Sequence, residues 1–202
     1  MTRYSLLIFL ITLVISSCKN ITFRNVLDKK SIEKATMQES GVPDITYRED
    51  DPSFTNKQDT LFYNDRKYNG HVIRLFTTGD TAVIMSYRNG LQEGISKKWY
   101  SPNIIQETRY YSSGKKVGTH TGYWENGNPK FEYHFEEGEH EGVLKEWYQN
   151  GQSYRIFHYR KGYEEGSQKM WWENGVIRAN YVVKNGRRFG LIGLKLCMNP
   201  GK

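Results

Sequence analysis

Cysteine is nearly absent from this chain: Cys18 and Cys197 are the only two among 202 residues. Cys18 sits in a leader-like segment, which leaves Cys197 alone between Leu196 and Met198 and excludes both an internal disulfide and a four-cysteine metal site. Blocks of like charge are missing too. The 29 Lys and Arg are interspersed with 22 Asp and Glu, so the basic balance serves solubility and defines no nucleic-acid groove. The sequence holds no G-x-S-x-G elbow, no P-loop lysine pattern and no H-E-x-x-H. The five histidines, His71, His120, His134, His140 and His158, read as polar or partly exposed strand residues, and no metal site or cofactor is expected. Without a convergent pair of carboxylates or an activated nucleophile, the chain is not expected to be an enzyme.

What is abundant is periodic. Glycine recurs every 24 residues at Gly70, Gly94, Gly118, Gly142, Gly166 and Gly190, and a second series in phase with it holds Gly90, Gly114, Gly138, Gly162 and Gly186. Aromatic residues keep the same step, so one small unit is stacked several times. Asn126-Gly127, Asn150-Gly151 and Asn174-Gly175 each lie between two aromatic-rich runs, the pattern of a β-hairpin with a two-residue type I′ turn. The expected fold is therefore all-β, an elongated antiparallel sheet of tandem 24-residue hairpins. About four full hairpins and a partial cap are expected, because terminal units have a neighbour on one side only. Near the start of the array the turn at Thr78-Gly79-Asp80 reads as displaced, and Ser101-Pro102-Asn103 replaces the later Glu-Asn-Gly.

Adjacent strand residues point to opposite faces, which sorts the aromatics into two rows. A two-residue turn at Asn150-Gly151 places Tyr148 across from Ser153, Leu144 from Phe157 and Gly142 from Tyr159, on the side expected to pack. Trp124, Phe131, Tyr133 and Phe135 share that side in the preceding unit. The other row is Trp99, Tyr123, Trp147 and Trp171, set among Lys98, Lys130, Glu132 and Lys145. Two readings stand for it: indole rings covering the sheet's second side, or a contact surface for a protein or glycan.

The ends differ from the array. Met1 to Arg3 give a positive head and Tyr4 to Ile15 an apolar run of about 12 residues, or about 18 Å as helix, too short for a bilayer core of about 30 Å. It reads as a secretory signal peptide. Ile15-Ser16-Ser17-Cys18 resembles the lipobox of bacterial lipoproteins, with Ile15 and Ser17 where Leu and Gly or Ala are usual. That resemblance implies a signal peptide over 1–17, lipidation of Cys18, and a membrane anchored through two or three acyl chains. Lys19 rather than aspartate after the cysteine implies the outer membrane, facing the periplasm, in a Gram-negative cell. Residues 18–60 lack a sustained period and read as a tether with little regular structure, including a short possible helix over 29–39. The repeat domain is placed at 61–198 and a tail at 199–202.

The segments Glu141-Gly142-Val-Leu-Lys-Glu-Trp147-Tyr148-Gln-Asn150-Gly151 and Glu165-Gly166-Ser-Gln-Lys-Met-Trp171-Trp172-Glu-Asn174-Gly175 resemble the variant form of the MORN repeat, with weaker copies over 93–103 and 118–127. The resemblance spans roughly Tyr68 to Leu196. It implies a sheet of successive hairpins, a lipoprotein and a protein-binding role, here an interaction scaffold in the cell envelope. Some proteins with such repeats are grouped with antitoxins that neutralise a partner toxin, which offers an antitoxin or immunity role as an alternative. Binding of an envelope glycan or lipopolysaccharide is a third.

Overall fold

A computed structural model describes residues 41–193. The leader, Cys18, Lys19, the proposed helix over 29–39, Cys197 and the C-terminal tail lie outside the described residues. Every regular element among the described residues is a strand. First come β1 (Thr46–Arg48), β2 (Phe54–Lys57), β3 (Thr60–Tyr63) and β4 (Arg66–Lys67). Five hairpins follow: β5 (Gly70–Leu75) with β6 (Thr81–Arg88), β8 (Gly94–Ser101) with β9 (Ile104–Ser112), β11 (Gly118–Tyr123) with β12 (Pro129–Glu136), β14 (Gly142–Trp147) with β15 (Ser153–Arg160), and β16 (Tyr163–Trp171) with β17 (Ile177–Lys184). Two-residue strands β7 (Leu91–Gln92), β10 (Lys115–Lys116) and β13 (Glu139–His140) lie in the links, and β18 (Arg187–Leu191) pairs with β17 at the far edge.

Neighbours in sequence are neighbours in space through one long sheet, and its pairs are antiparallel except that β1 lies parallel to β5. Five hairpins, rather than four, are formed because the first unit is in step after all. Phe76 N–H donates to the Asp80 carbonyl and Gly79 N–H to the Phe76 carbonyl, closing a loop of Thr77-Thr78-Gly79. Gly79, Asn103, Gly127, Gly151 and Gly175 all have positive φ and stand 24 residues apart.

The tips are not type I′ turns. In Glu125-Asn126-Gly127 only the glycine enters the left-handed region, at φ 85°, and Trp124 N–H closes the loop on the Asn128 carbonyl at 2.8 Å. This is a three-residue loop of a type I turn followed by a bulge. The Asn126, Asn150 and Asn174 side-chain oxygens accept the N–H two residues ahead, at 3.1, 2.9 and 3.1 Å, so asparagine serves here through its side chain. The two-residue turns lie in the links instead, where Asn89-Gly90, Glu137-Gly138, Lys161-Gly162 and Asn185-Gly186 carry positive φ at both positions.

Despite the longer tip, Leu144 does pair with Phe157 and Gly142 with Tyr159. A bulge takes up the extra residue: Trp147 faces Ser153 while Glu146 faces Arg155, leaving Tyr154 as the inserted residue. Tyr148 therefore meets Gln152 and not Ser153. The same shift falls at Tyr123 and at Trp171.

Residues 46–60, expected in the tether, are structured. Strands β2, β3 and β4 form a meander whose Phe54 and Tyr63 cluster with Tyr47 and Tyr68, Tyr47 stacking on Tyr63 at 4.3 Å. Leu61 N–H also donates to the Gly90 carbonyl at 2.8 Å, tying the meander to the first link. The segment caps the open end of the sheet. It has no 24-residue match to announce it, because its apolar residues serve a terminus.

In the first two hairpins His71, Ser86 and Ile95 are buried on one face of the sheet, whereas from the third hairpin on the core runs along the other. Phe135, Leu144, Phe157, Ala179, Tyr181 and Val183 are buried there. His120 joins them at 1% exposure, between Tyr111 and Phe135, with ring centroids 5.7 and 4.6 Å away. At the equivalent position two repeats on, Gln168 is fully buried, and its amide both accepts from and donates to the His158 backbone at 3.0 and 2.9 Å. Gly122 makes room for a ring: a Cβ there would lie 2.1 Å from Phe131.

Candidate functional site

Two aromatic rows emerge from this register. In the first, Tyr123, Trp147 and Trp171 occupy the last paired position before the tip, Trp99 holds the equivalent position with Ser101 paired beyond it, and all four are half-buried. They lie on the face opposite Leu144 and Phe157. Glu132 and Lys145 share that face and pair across the strands at 3.0 Å. The row is thus neither sealed into a core nor fully open. Lys98, by strand alternation, and Lys130, through its bulge, belong to the other face.

The second row is Tyr100, Trp124, Tyr148 and Trp172. Its polar tips join one repeat to the next: Tyr100 O–H donates to the Tyr123 carbonyl at 3.2 Å, Trp124 Nε1–H to the Trp147 carbonyl at 3.1 Å, and Tyr148 O–H to the Trp171 carbonyl at 2.9 Å. Tyr100, Trp124 and Tyr148 therefore each fix the backbone that carries a first-row ring. Against these rings lie the bulge residues: Lys130 Nζ is 4.4 Å from the Trp124 centroid, the Arg178 guanidinium 4.3 Å from Trp172, and the Tyr154 ring 5.1 Å from Tyr148. This side, expected to be packed throughout, closes only toward the links. Near the tips a groove of about 310 Å³ opens between Trp124 and Tyr148, lined also by Lys130, Phe131, Tyr133, Glu146, Trp147 and Tyr154.

Within the groove Glu146 and Arg155 neutralise each other, while Lys130 adds a cation over Trp124. The Glu146 carboxylate takes a two-pronged contact from Arg155, at 2.6 and 2.7 Å, and a hydrogen bond from the Tyr133 hydroxyl. Burial, and next the bonded Glu146 carboxylate, hold the Tyr133 phenol far above its ordinary value. The groove was missed from sequence because its residues come together only once the bulge turns Lys130 and Tyr154 inward; the 24-residue step of Tyr100, Trp124, Tyr148 and Trp172 was the available signal.

The repeated acidic residues act on the links. Glu93 accepts the Ser113 N–H at 2.7 Å and Glu141 the Lys161 N–H at 2.8 Å, each reaching to the neighbouring turn, while Glu165 pairs with Arg160. Among the described residues, no group of three or more His, Cys, Asp or Glu side chains is placed to hold a metal ion.

The histidines divide. His134 and His158 are half-buried, whereas His71 and His120 are buried, against the expectation of partly exposed positions. Burial pushes His71 below its ordinary 6.5, and His120 and His140 likewise, with the nearby Lys116 charge adding to burial in both of the latter. A histidine whose folded value is depressed binds fewer protons folded than unfolded, so its contribution to stability is present above about pH 6.5 and is lost as pH falls toward the folded value. Thermal melts from pH 8 to pH 5 should show a midpoint falling below about pH 6.5, and the fall should be smaller in His120→Gln, which imitates Gln168.

The MORN repeat variant family matches the chain at residues 116–137 and 141–161. Each match covers one hairpin, tip and second-row aromatic included, so the chain carries variant MORN repeats over this stretch. Repeats of this class are generally associated with protein and membrane interaction. No curated protein and no solved structure matches the chain.

Proposed function

We propose that the protein is a lipid-anchored β-repeat module that docks a protein partner in the bacterial cell envelope, without catalysing a reaction. The observation that supports it most is the row of half-buried rings Trp99, Tyr123, Trp147 and Trp171. Two strands per repeat set them about 10 Å apart along the sheet. Large aromatic side chains supply desolvated contact area, and neighbouring charges such as Lys145 and Glu132 orient a partner. The anchor is the Cys18 thiol, joined as a thioether to a diacylglycerol group after removal of residues 1–17, and two acyl chains suffice for stable attachment. Lys19 favours the outer membrane's periplasmic leaflet in a Gram-negative cell.

Crosslinking in intact cells, followed by capture of wild type, Trp147→Ala and Cys18→Ser, tests both parts. Trp147→Ala should lose the crosslinked partner while melting cooperatively, and Cys18→Ser should lose lipid labelling and leave the membrane fraction. Partner capture unchanged in Trp99→Ala, Trp147→Ala and Trp171→Ala alike would remove the docking role. Lipid labelling that survives Cys18→Ser would remove the anchor.

A further inference from the structure

We infer that the groove between Trp124 and Tyr148 receives a polyproline II segment of a partner protein. The inference rests on the protein-docking reading above but uses the opposite face of the sheet, so the two fail separately.

The first argument is the state of the groove's polar groups. The Trp124 Nε1–H and Tyr148 O–H are spent on the Trp147 and Trp171 carbonyls. Both Glu146 oxygens are held by Arg155, and the Tyr133 hydroxyl is held by Glu146. A sugar ring entering here would surrender hydrogen bonds to water and find few replacements, which is costly for each hydroxyl left unpaired. A helical or extended peptide with apolar side chains would fit the rings but would arrive with ordering entropy still to lose. Proline suits both conditions. Its ring is apolar, it brings no N–H, and the polyproline II backbone is already ordered, with carbonyls that remain solvated.

The second argument is spacing. Equivalent rings stand at Tyr100, Trp124, Tyr148 and Trp172, one repeat or about 10 Å apart. A polyproline II helix advances about 3.1 Å per residue with three residues per turn, so like positions recur about every 9 Å. Prolines three residues apart therefore meet successive rings of the row, the relation that lets aromatic-lined grooves read such segments. Tyr100, Trp124 and Tyr148 are held in place beforehand by their bonds to the next repeat, which reduces the ordering cost of binding.

The third argument is charge. Arg155 is balanced by Glu146, while Lys130 over Trp124 and Arg178 over Trp172 make no ion pair among the described residues, and Glu173 is the acid that acts on Tyr148 beside Arg178. The segment the row fits has an acidic residue flanking its prolines.

The test uses the full chain and a fluorescein-labelled decaproline peptide with an aspartate at each end, read by anisotropy. Saturable binding is expected, with at least about tenfold weaker binding for Tyr154→Ala and for Tyr148→Ala. Tyr154 makes no inter-repeat latch, so its variant keeps the test open if Tyr148→Ala does not fold; melting curves identify that case. A control peptide with alternate prolines replaced by glycine should bind weakly. No saturable binding, equal binding of the glycine control, or affinity unchanged in Tyr154→Ala would overturn the inference. So would displacement of the peptide by a chitin or cellulose hexasaccharide that itself binds and depends on Tyr154, which would assign the groove to sugars.

Discussion

Phe157→Ala is expected to lower the free energy of unfolding by about 3–5 kcal/mol, the usual cost of emptying a buried aromatic site. The ring is 5% exposed, lies across from Leu144 and meets Tyr181 edge-on with centroids 6.1 Å apart. The Arg155 guanidinium also sits 5.4 Å from its centroid, so the substitution loosens the groove's charged pair as well. Urea unfolding monitored by tryptophan fluorescence measures the loss. Val182→Ala provides the contrast: that side chain is 48% exposed on the other face, and its removal should cost less than about 0.5 kcal/mol. Similar losses in the two variants would mean that the last two hairpins do not have one packed and one open side.

Glu146→Ala should be nearly as damaging, at about 2–4 kcal/mol. It leaves a half-buried guanidinium without its two-pronged partner and takes the acceptor from the Tyr133 hydroxyl. The estimate stays below that for a fully sealed ion pair because the Arg155 side chain keeps 29% exposure. A Glu146→Leu, Arg155→Leu double variant should recover most of the loss, since no charge is then stranded. If the double variant is as unstable as Glu146→Ala, the penalty comes from packing and the electrostatic account is wrong.

The hairpin order, the two aromatic rows and the Leu144–Phe157 register were legible in the sequence, because a fixed 24-residue step repeats both the turn glycines and the side chains they bring together. Two compensating details hid from it. A three-residue loop and a bulge at Tyr154 together preserve the register that a two-residue turn would have given, so the correct pairs followed from a turn of the wrong type. The bulge also decided where Lys130, Tyr154 and Arg178 point, and with them the groove. The cap formed by Tyr47, Phe54, Tyr63 and Tyr68 could not be found by period, since a terminus is the place where the repeat has no reason to hold.

The bonds that cross between units are copied from one to the next: Gly114 N–H to the Gln92 carbonyl, Gly138 to Lys116, Gly162 to His140, with lengths of 2.8, 2.9 and 3.0 Å. A joint made the same way at every step sets no limit on how many steps there are. Duplication or loss of one whole unit would leave each junction intact and alter only reach, so a gene encoding such an array can lengthen or shorten its product in jumps of 24 codons, while an insertion of any other size inside a unit breaks a joint.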